Sequence, residues 1–421
     1  MKKRVAIITN DTSSVGGLPT MVTFLHRVLS DSGRYEPHLV SLATSASDEA
    51  SVRIKSPRSW LRRPQVKQME WRNLAFIHFG AWGSELEFQR YRPRRELTQH
   101  LNQYDLLQFV VGCPPWVCVA AGIDRPTFVW TATTTRGDRA SRRRDGSLTR
   151  RVWSALMVPL TERYEKRSLG IANKVFALSE YTRRVVEGSA ERDKVVLAPC
   201  GVDTGLFRPM TEAAEKYILC VARFSDARKN VRLLLDAYAI LQRKDLEIPN
   251  LYLIGDPPTE NIHAHLRRLG LADKVKLVGP KQGEELAELY GQAAFFVLSS
   301  DEEGLGIVVL EAMASGLAVV STDCGGPATA ITDLETGFLT PVGDAGAFAA
   351  AMEKLLVDPG LRQRMGREGR KVAEERFSLN AAGQVFLDAY DKLLSSRVAK
   401  GATAPDLQNS VLRTPATVLH D

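Results

Sequence analysis

The sequence predicts an α/β protein with two parallel sheets, each covered by helices on both faces. Short β-branched and aromatic runs alternate with longer amphipathic segments almost throughout, which is typical of strands joined by crossover helices. The runs form two series, separated by a segment rich in Pro and Gly at residues 198–209 (APCGVDTGLFRP). At 421 residues the chain is also too long for one ordinary core. The two series therefore predict two domains of roughly 170 to 200 residues each.

Each series contains six predicted strands. Those of the first are residues 5–9, 38–42, 105–110, 127–131, 174–178 and 195–198, and those of the second are 217–222, 251–254, 275–278, 294–298, 318–321 and 336–339. Residues 1–205 are therefore predicted as the N-terminal domain and residues 206–376 as the C-terminal domain. A last helix follows at 377–397. Residues 398–421 lack periodicity and are predicted as a loose tail.

The composition excludes several classes of protein. With 44% hydrophobic and 25% charged residues, the chain reads as globular rather than disordered or fibrous. Five Cys without a CxxC argue against a disulfide or zinc framework, so a cytoplasmic protein without a secretory signal is expected. His263 and His265 are expected on a solvated helix face rather than at a metal. The uncharged stretch 106–123 holds two prolines and is not a membrane span.

The charge is divided unevenly between the two halves. Residues 1–205 hold 32 basic and 20 acidic side chains, a net of +12, whereas residues 206–397 hold 22 and 27, a net of −5. Nearly all of the surplus lies in residues 53–72 and 136–151. Trp60, Trp71 and Trp153 occur in or near these segments, as in chains that lie on membranes.

Three interpretations of the basic segments remain open. They dock on anionic lipid at the inner face of the membrane, where a lipid-linked acceptor would be reached. They attract a soluble anionic acceptor, or they are simply solvated loops. No nucleic-acid-binding motif accompanies the charge, so no nucleic-acid partner is expected.

The strongest functional signal is residues 295–316, FFVLSSDEEGLGIVVLEAMASG. A buried strand ends near Ser299 and a helix begins near Ile307, so the free amides of the intervening Gly304, Leu305 and Gly306 form a predicted phosphate cradle. Two carboxylates flank the predicted cradle, those of Glu303 and Glu311. Glu311 lies about 7 Å further along the helix, the reach of a ribose. The alternative is an ordinary capped helix with two solvated glutamates.

The second signal is residues 220–238, CVARFSDARKNVRLLLDAY. Arg223 and Lys229 fall in the loop after a strand, where cations would meet the phosphates of a ligand. Arg228 and Arg232 are predicted bystanders. The alternative is a solvated run of charge.

The third signal is the Gly16–Gly17 pair between the first strand and the first helix. Gly17 would let the backbone approach a ligand closely. The segment is not a GxGxxG dinucleotide fingerprint, and an ordinary strand–helix turn is the alternative.

Taken in order, these motifs resemble those of the retaining glycosyltransferases of family 4 (group 1), which have the GT-B fold. The similarity also includes residues 172–184 (ANKVFALSEYTRR) and 198–209, and it extends to about Leu394. It implies two Rossmann-like domains facing across a cleft, with the donor in the C-terminal domain and the acceptor in the N-terminal domain. It also implies that the last helix crosses back onto the N-terminal domain.

The resemblance further implies roles for the motif residues. Arg223 and Lys229 would hold the donor diphosphate, Glu303 would contact donor-sugar hydroxyls and Glu311 the ribose. The loop at Val278, Gly279 and Pro280 would flank the base.

The implied reaction is transfer of a hexosyl group from a UDP- or GDP-sugar to an acceptor hydroxyl, with retention and without a metal cofactor. Alternatives are a nucleotide-sugar-binding or regulatory protein without activity, an epimerase, and a metal site at SDEEG. One departure is clear: many family members have a His after the strand at 127–131, and here Thr131 to Thr135 stand in its place. The donor base, the sugar, the acceptor and the oligomeric state stay open.

Overall fold

The fold is taken from a computed structural model of the chain. It describes residues 2–10, 16–143, 148–210 and 216–402, except for the side chains of residues 140–156 and 398–402. The predicted tail therefore lies mostly outside the described residues, at 403–421.

The described chain forms two sheets, in agreement with the predicted α/β architecture. The first contains β1 (Lys3–Thr9), β2 (Tyr35–Leu42), β3 (Val66–Trp71), β4 (Leu74–Phe79), β5 (Leu106–Val111), β6 (Thr127–Thr131), β7 (Lys174–Ala177) and β8 (Val195–Leu197). The second contains β9 (Tyr217–Val221), β10 (Asn250–Ile254), β11 (Val275–Gly279), β12 (Ala293–Leu298), β13 (Val319–Thr322) and β14 (Gly337–Thr340). All twelve predicted strands are present.

The strand orders are β3-β4-β2-β1-β5-β6-β7-β8 and β11-β10-β9-β12-β13-β14. In both sheets the order reverses beside the first strand, between β1 and β5 and between β9 and β12. Loops diverge at such a point, so a crevice opens at the carboxyl ends of the strands. The fold therefore places the crevice of the second sheet between the loops after β9 and β12.

The first sheet is not entirely parallel, which corrects the prediction. β3 pairs antiparallel with β4, and the turn between them uses Arg72 and Asn73 at φ of 50° and 60°, as tight hairpins require. β3 is an exposed edge strand without an apolar run. β4 does have an apolar run, LAFIHF, but the prediction omitted it.

Helices cover the sheets. In chain order they are α1 (Gly17–Asp31), α2 (Pro57–Trp60), α3 (Glu87–Arg90), α4 (Arg95–Leu101), α5 (Thr135–Arg143), α6 (Leu148–Ile171), α7 (Glu180–Glu187), α8 (Val231–Leu241), α9 (Glu260–Leu269), α10 (Gly283–Gly291), α11 (Ile307–Ala314), α12 (Ala345–Val357), α13 (Pro359–Phe377) and α14 (Leu379–Ala402). Short 3-10 turns occur at Pro114–Ala120, Arg192–Lys194, Ala227–Lys229 and Pro327–Thr329.

The chain crosses between the sheets twice, and the crossings touch each other. Val202 N donates to Phe377 O at 2.7 Å. Beyond it, α14 packs on the first sheet, where the ring of Phe386 lies 4.7 Å from that of Trp130. Tyr390 OH donates to Gln108 Oε1 at 2.6 Å. The helix continues through residues 398–402, which were predicted as tail. The division into domains at 205, 376 and 397 stays a prediction.

Candidate active site between the two sheets

The loop after β9 is held by a carboxylate from the neighbouring strand. The carboxylate of Asp256, just beyond β10, accepts hydrogen bonds from the backbone N–H groups of Phe224, at 2.5 Å, and Ser225, at 3.2 Å. Within the loop, Asp226 pairs with both Arg223, at 3.3 Å, and Arg228, at 2.7 Å. The loop thus has a fixed shape before any ligand arrives, and about half of the Arg223 side chain faces solvent.

Lys229 and Glu303 meet between the loops after β9 and β12. Lys229 Nζ lies 2.5 Å from Glu303 Oε1, and both side chains are largely buried. Ser300 Oγ donates to the same carboxylate oxygen at 2.8 Å. The structure therefore brings together two predicted site residues that are 74 positions apart.

Further hydrogen bonds join the two loops around this pair. Ser299 Oγ donates to Lys229 O at 3.0 Å, and Asn230 Nδ2 donates to Asp301 Oδ1 at 2.8 Å. Asn230 also caps the N-terminus of α8, in the left-handed conformation at φ 40°. These residues position Lys229, and apart from their place at strand ends no sequence pattern indicated them.

The residues of the predicted phosphate cradle lie at a helix N-terminus. In the described part of the chain, the amides of Gly304, Leu305 and Gly306 donate to no protein acceptor. Gly306 begins α11 at φ 79°. Gly326 packs so closely beneath the loop that a Cβ there would lie 2.5 Å from Leu305 N. Free amides at a helix N-terminus are suited to an anion.

Glu311 lies in α11 and is not a solvated glutamate. Tyr290 OH donates to its Oε2 at 2.8 Å. Burial raises the pKa of Glu311 to about 7, and the hydrogen bond from Tyr290 offsets only part of that rise. The carboxyl group is therefore poised between its neutral and charged forms near neutral pH.

The first sheet closes the site from the opposite side. A Cβ on Gly16 would lie 3.9 Å from Arg223 Nη1, and Gly17 is the first residue of α1. A Cβ on Gly304 would lie 3.4 Å from Ala132 Cβ, just after β6. The loop of Gly16 and Gly17 thus faces the cations, whereas Gly304 touches the ends of the first sheet's strands.

Two predicted residues lie apart from this cluster. Val278 and Gly279 end β11, which is separated from β12 by β10 and β9. Three strand spacings correspond to about 14 Å. Open space surrounds Gly279, since a Cβ there would meet nothing within 4 Å. They share the edge of the sheet with the cluster without contacting it.

The threonines that replace the expected His are not equivalent. Thr131 Oγ1 donates to backbone carbonyls, those of Gly112 and Thr133, and Thr134 and Thr135 are buried. Thr133 is only half-buried, and its hydroxyl makes no hydrogen bond to a described residue. It lies beside Gly137, where a Cβ would be 2.4 Å away. Thr133 is thus the member of this run best placed to meet a ligand.

A cavity of about 780 Å³ lies between the two halves of the chain. Its wall includes Gly137, Tyr181 and Arg184 from the first half, and Arg228 and Asp301 from the second. The last two residues are sequence neighbours of Lys229 and Glu303, which are not part of that wall. The cavity thus adjoins the candidate site and is not identical with it.

A second cavity, of about 490 Å³, lies at the first sheet's carboxyl edge. His78 forms its polar centre: Nε2 lies 2.9 Å from Asp48 Oδ1 and Nδ1 lies 3.2 Å from Ser41 Oγ. Burial acts to raise the pKa of Asp48, but hydrogen bonds from His78 and Ser51 outweigh it and lower the pKa. The other lining residues are polar or charged at six of ten positions: Asn10, Leu42, Thr44, Ser45, Ser47, Glu49, Ala50, Lys67, Met69 and Phe76. Sequence patterns did not indicate this site.

The basic segments separate into different environments. In the second basic segment, residues 136–151, Arg139 is buried and lies 2.6 Å from Glu87, and Arg136 pairs with Glu162 at 3.0 Å. Neither residue is therefore a free cation. The other basic side chains up to Arg151, and the side chain of Trp153, lie outside the described residues. Trp71 is buried, which corrects its predicted place on a docking surface.

Other expectations about metals and membranes meet the following facts. His265 is buried and bonds to Asp236 at 2.7 Å, so the predicted solvated face is wrong for this residue. Among the described residues, no three His, Cys, Asp or Glu side chains converge as metal ligands would. No helix in the described ranges combines the length and apolarity needed to cross a membrane.

Comparisons with known proteins agree with this geometry. Residues 207–372 match the family described as glycosyl transferases group 1. Lipopolysaccharide core biosynthesis glycosyltransferase LpsE of Rhizobium meliloti is 33% identical over 190 residues, which cover 44% of this chain and 52% of that relative. The chain thus spans about half the length of that curated relative.

Solved structures match almost the whole chain. Sucrose-phosphate synthase from Thermosynechococcus elongatus has a TM-score of 0.72 at 20% identity, covering 94% of this chain and 100% of that one. Anabaena HepE in complex with UDP and glucose has a TM-score of 0.67 at 17% identity, covering 93% and 100%. At these identities the likeness shows the fold, and it confirms the expected GT-B architecture.

Proposed function

We propose that this chain, a member of the glycosyl transferases group 1 family through residues 207–372, transfers a sugar from a nucleoside-diphosphate sugar to an acceptor hydroxyl with retention. The observation that carries the proposal is the Lys229–Glu303 pair beside the free amides of residues 304–306. A cation, a helix N-terminus with free amides and a carboxylate at one edge of the sheet suit a sugar joined to a diphosphate.

The cations serve the leaving group. When the bond between the sugar's anomeric carbon and the diphosphate breaks, the electron pair stays on a phosphate oxygen. Arg223, Lys229 and the amides before α11 are placed to stabilise that charge, and such preorganised groups commonly contribute several kcal/mol. The acceptor oxygen attacks the same face, and its proton passes to the leaving phosphate oxygen.

Donor binding changes the pairing of Glu303. Without ligand, Lys229 and Ser300 occupy the carboxylate. In the complex, Lys229 turns to the diphosphate, and Glu303 accepts hydrogen bonds from the sugar hydroxyls. Glu311 accepts the ribose hydroxyls in its charged form. Val278 and Gly279 flank the base at the same sheet edge.

The donor is a UDP- or GDP-sugar and the transferred group a hexosyl unit. The HepE structure, which holds UDP and glucose, supports a uridine nucleotide. We propose that no metal takes part, because Arg223 and Lys229 supply the positive charge that a diphosphate needs.

The acceptor enters from the first sheet. The cavity around His78 and Asp48 presents hydroxyls, a carboxylate and Lys67, which suits a polyhydroxylated or anionic compound. The basic surplus of residues 53–72 fits either a lipid-linked acceptor at the inner membrane face or a soluble anionic one.

Two other functions compete with this proposal. One is a protein that binds a nucleotide sugar without catalysis, and the other is an epimerase. Ligand-induced thermal shifts with UDP, GDP and ADP identify the base, since a ligand that binds only the folded state raises its stability. Donor turnover, with and without acceptor, then separates the functions. Free sugar and nucleoside diphosphate from the wild type, but not from Lys229→Ala, support a transferase. A thermal shift without any turnover supports the binding protein, and acceptor-independent release of an epimer supports the epimerase.

A further inference from the structure

The segment that contains α2 exposes large apolar side chains among cations. Trp60 is 57% exposed, Leu61 93% and Ile54 46%, and Trp82, which follows β4, is 51% exposed. Large apolar side chains exposed singly are ordinary, but a group of them on one surface marks an interaction site.

Contacts bring the segments of Ile54, Trp60 and Trp82 together, and Leu61 directly follows Trp60. Trp60 Nε1 donates to Arg53 O at 2.9 Å, which places the indole beside Ile54. A Cβ on Gly83 would lie 3.4 Å from Ile54 Cδ1, and Trp82 pairs with Val52 in an isolated bridge. We define the docking face as Ile54, Trp60, Leu61 and Trp82 together with Lys55, Arg58, Arg62 and Arg63.

The docking face is held rigidly from below. Ser59 is buried. Its hydroxyl accepts a hydrogen bond from Arg53 N at 2.9 Å and donates one to Ser56 O at 2.7 Å. Because these bonds fix the loop, Trp60 and Leu61 are presented outward rather than folded into a core. A partner that covered these exposed side chains would remove their apolar surface from water, which favours binding.

The charge selects the class of partner. Arg58, Arg62 and Arg63 are exposed and form no ion pair within the described part of the chain. Unpaired cations around tryptophan and leucine suit a surface with anionic head groups above an apolar layer. A soluble anion would not cover the apolar side chains, and a second copy would bring like charges together.

We propose that the docking face binds an anionic lipid bilayer through Trp60, Leu61 and the surrounding cations. β3 follows α2 directly and contributes Lys67 and Met69 to the cavity around His78. Docking therefore sets that cavity at the level of the head groups. The inference rests on the proposed function for the purpose of docking, namely access to a lipid-linked acceptor.

Flotation of the full chain with vesicles tests this proposal without donor or acceptor. The vesicles are pure phosphatidylcholine, or equal parts phosphatidylcholine and phosphatidylglycerol. We expect binding only to the anionic vesicles, weakened by salt. Arg62→Gln/Arg63→Gln should bind roughly thirtyfold more weakly, because the loss of each cation lowers the affinity about five- to sixfold. Trp60→Ser/Leu61→Ser should also release the protein from the membrane.

Matched variants on the second half serve as controls. Val357→Ser removes an apolar side chain with the same 57% exposure as Trp60, and Arg364→Gln/Arg367→Gln removes two exposed cations. Both should float like the wild type. Equal binding to neutral and anionic vesicles overturns the proposal. So does anionic binding that Trp60→Ser/Leu61→Ser leaves unchanged, or a preference for heparin over vesicles.

The thermal shift with nucleotide separates this proposal from the proposed function. Each docking variant should keep the wild-type shift, because the docking face lies beside β3, the edge strand of the first sheet, whereas Lys229 and Glu303 follow strands of the second sheet. Lost flotation with a normal shift concerns docking alone, and normal flotation without a nucleotide shift concerns the donor site alone.

Discussion

Lys229 Nζ and Glu303 Oε1 lie 2.5 Å apart, with most of both side chains withdrawn from solvent. The pair links the two loops that diverge from the reversal point of the second sheet. Each charge neutralises the other across the two loops. In the proposed reaction, the donor diphosphate competes with Glu303 for Lys229.

Lys229→Ala should abolish transfer while the chain still folds. It removes the cation nearest the diphosphate and leaves the Glu303 charge without its partner, which costs about 1 to 3 kcal/mol of stability. Glu303→Ala should also abolish transfer. Turnover and thermal unfolding check both effects. Lys244→Ala, which breaks the more exposed pair with Glu353, should change neither by much. Near-normal turnover in both site variants would refute the assignment.

Glu311 should make the stability of the free protein fall as pH rises. Its pKa is raised from 4.5 to about 7, so the folded chain binds a proton that the unfolded chain releases. The stabilisation is complete below pH 4.5 and is lost between pH 4.5 and about 7. Because the side chain keeps partial solvent access, we expect about 2 kcal/mol.

Glu311→Gln should abolish this pH dependence and weaken nucleotide binding. The neutral amide removes the cost of ionisation, so the free variant should be more stable than the wild type at pH 8. Thermal unfolding at pH 5 and pH 8 measures the effect, and Glu335→Gln, at an exposed position, is the control. An unchanged difference between the two pH values would show that another group titrates.

Thr133→Ala should lower turnover without loss of stability. Its hydroxyl has no partner among the described residues, whereas that of Thr131 donates to two carbonyls. Thr131→Val should instead destabilise the fold by about 1 kcal/mol. Turnover and thermal unfolding of both variants separate the roles. Wild-type turnover in Thr133→Ala would mean that the hydroxyl does not contact the donor sugar.

Tyr390→Phe should destabilise the chain by about 1 to 2 kcal/mol, because it leaves the buried Gln108 carbonyl oxygen without this donor. The hydrogen bond joins the last helix to the first sheet. Chemical denaturation gives the change in unfolding free energy. Tyr252→Phe, on a half-buried side chain, should have a smaller effect, and equal losses would contradict the special role of the buried bond.

Chelation of divalent metal should leave transfer intact. Arg223 and Lys229 are expected to supply the charge at the diphosphate, so turnover measured with excess EDTA should equal that without it. Loss of activity that Mg²⁺ or Mn²⁺ restores would favour the alternative metal site at residues 300–304.

The sequence alone determined the order of strands and helices and the position of the donor motifs along them. Buried parallel strands are continuous apolar runs with Gly-containing loops after them, a local signal that needs no knowledge of the fold. Arg223, Lys229, Glu303 and Glu311 were therefore predicted as donor-site residues from their places in these loops and in the helix that follows. β3 was missed because an exposed edge strand carries no such run, whereas the apolar run of β4 was present but was not assigned.

Only the tertiary structure decided which side chains meet and which are shielded. The contact of Lys229 with Glu303, the raised pKa of Glu311 and the cavity around His78 each depend on groups distant in sequence. Burial likewise divided the basic half: Arg139 and Trp71 are inside, whereas Trp60 and Leu61 face outward. Charge can be counted along a chain, but desolvation and pairing exist only between parts that folding brings together.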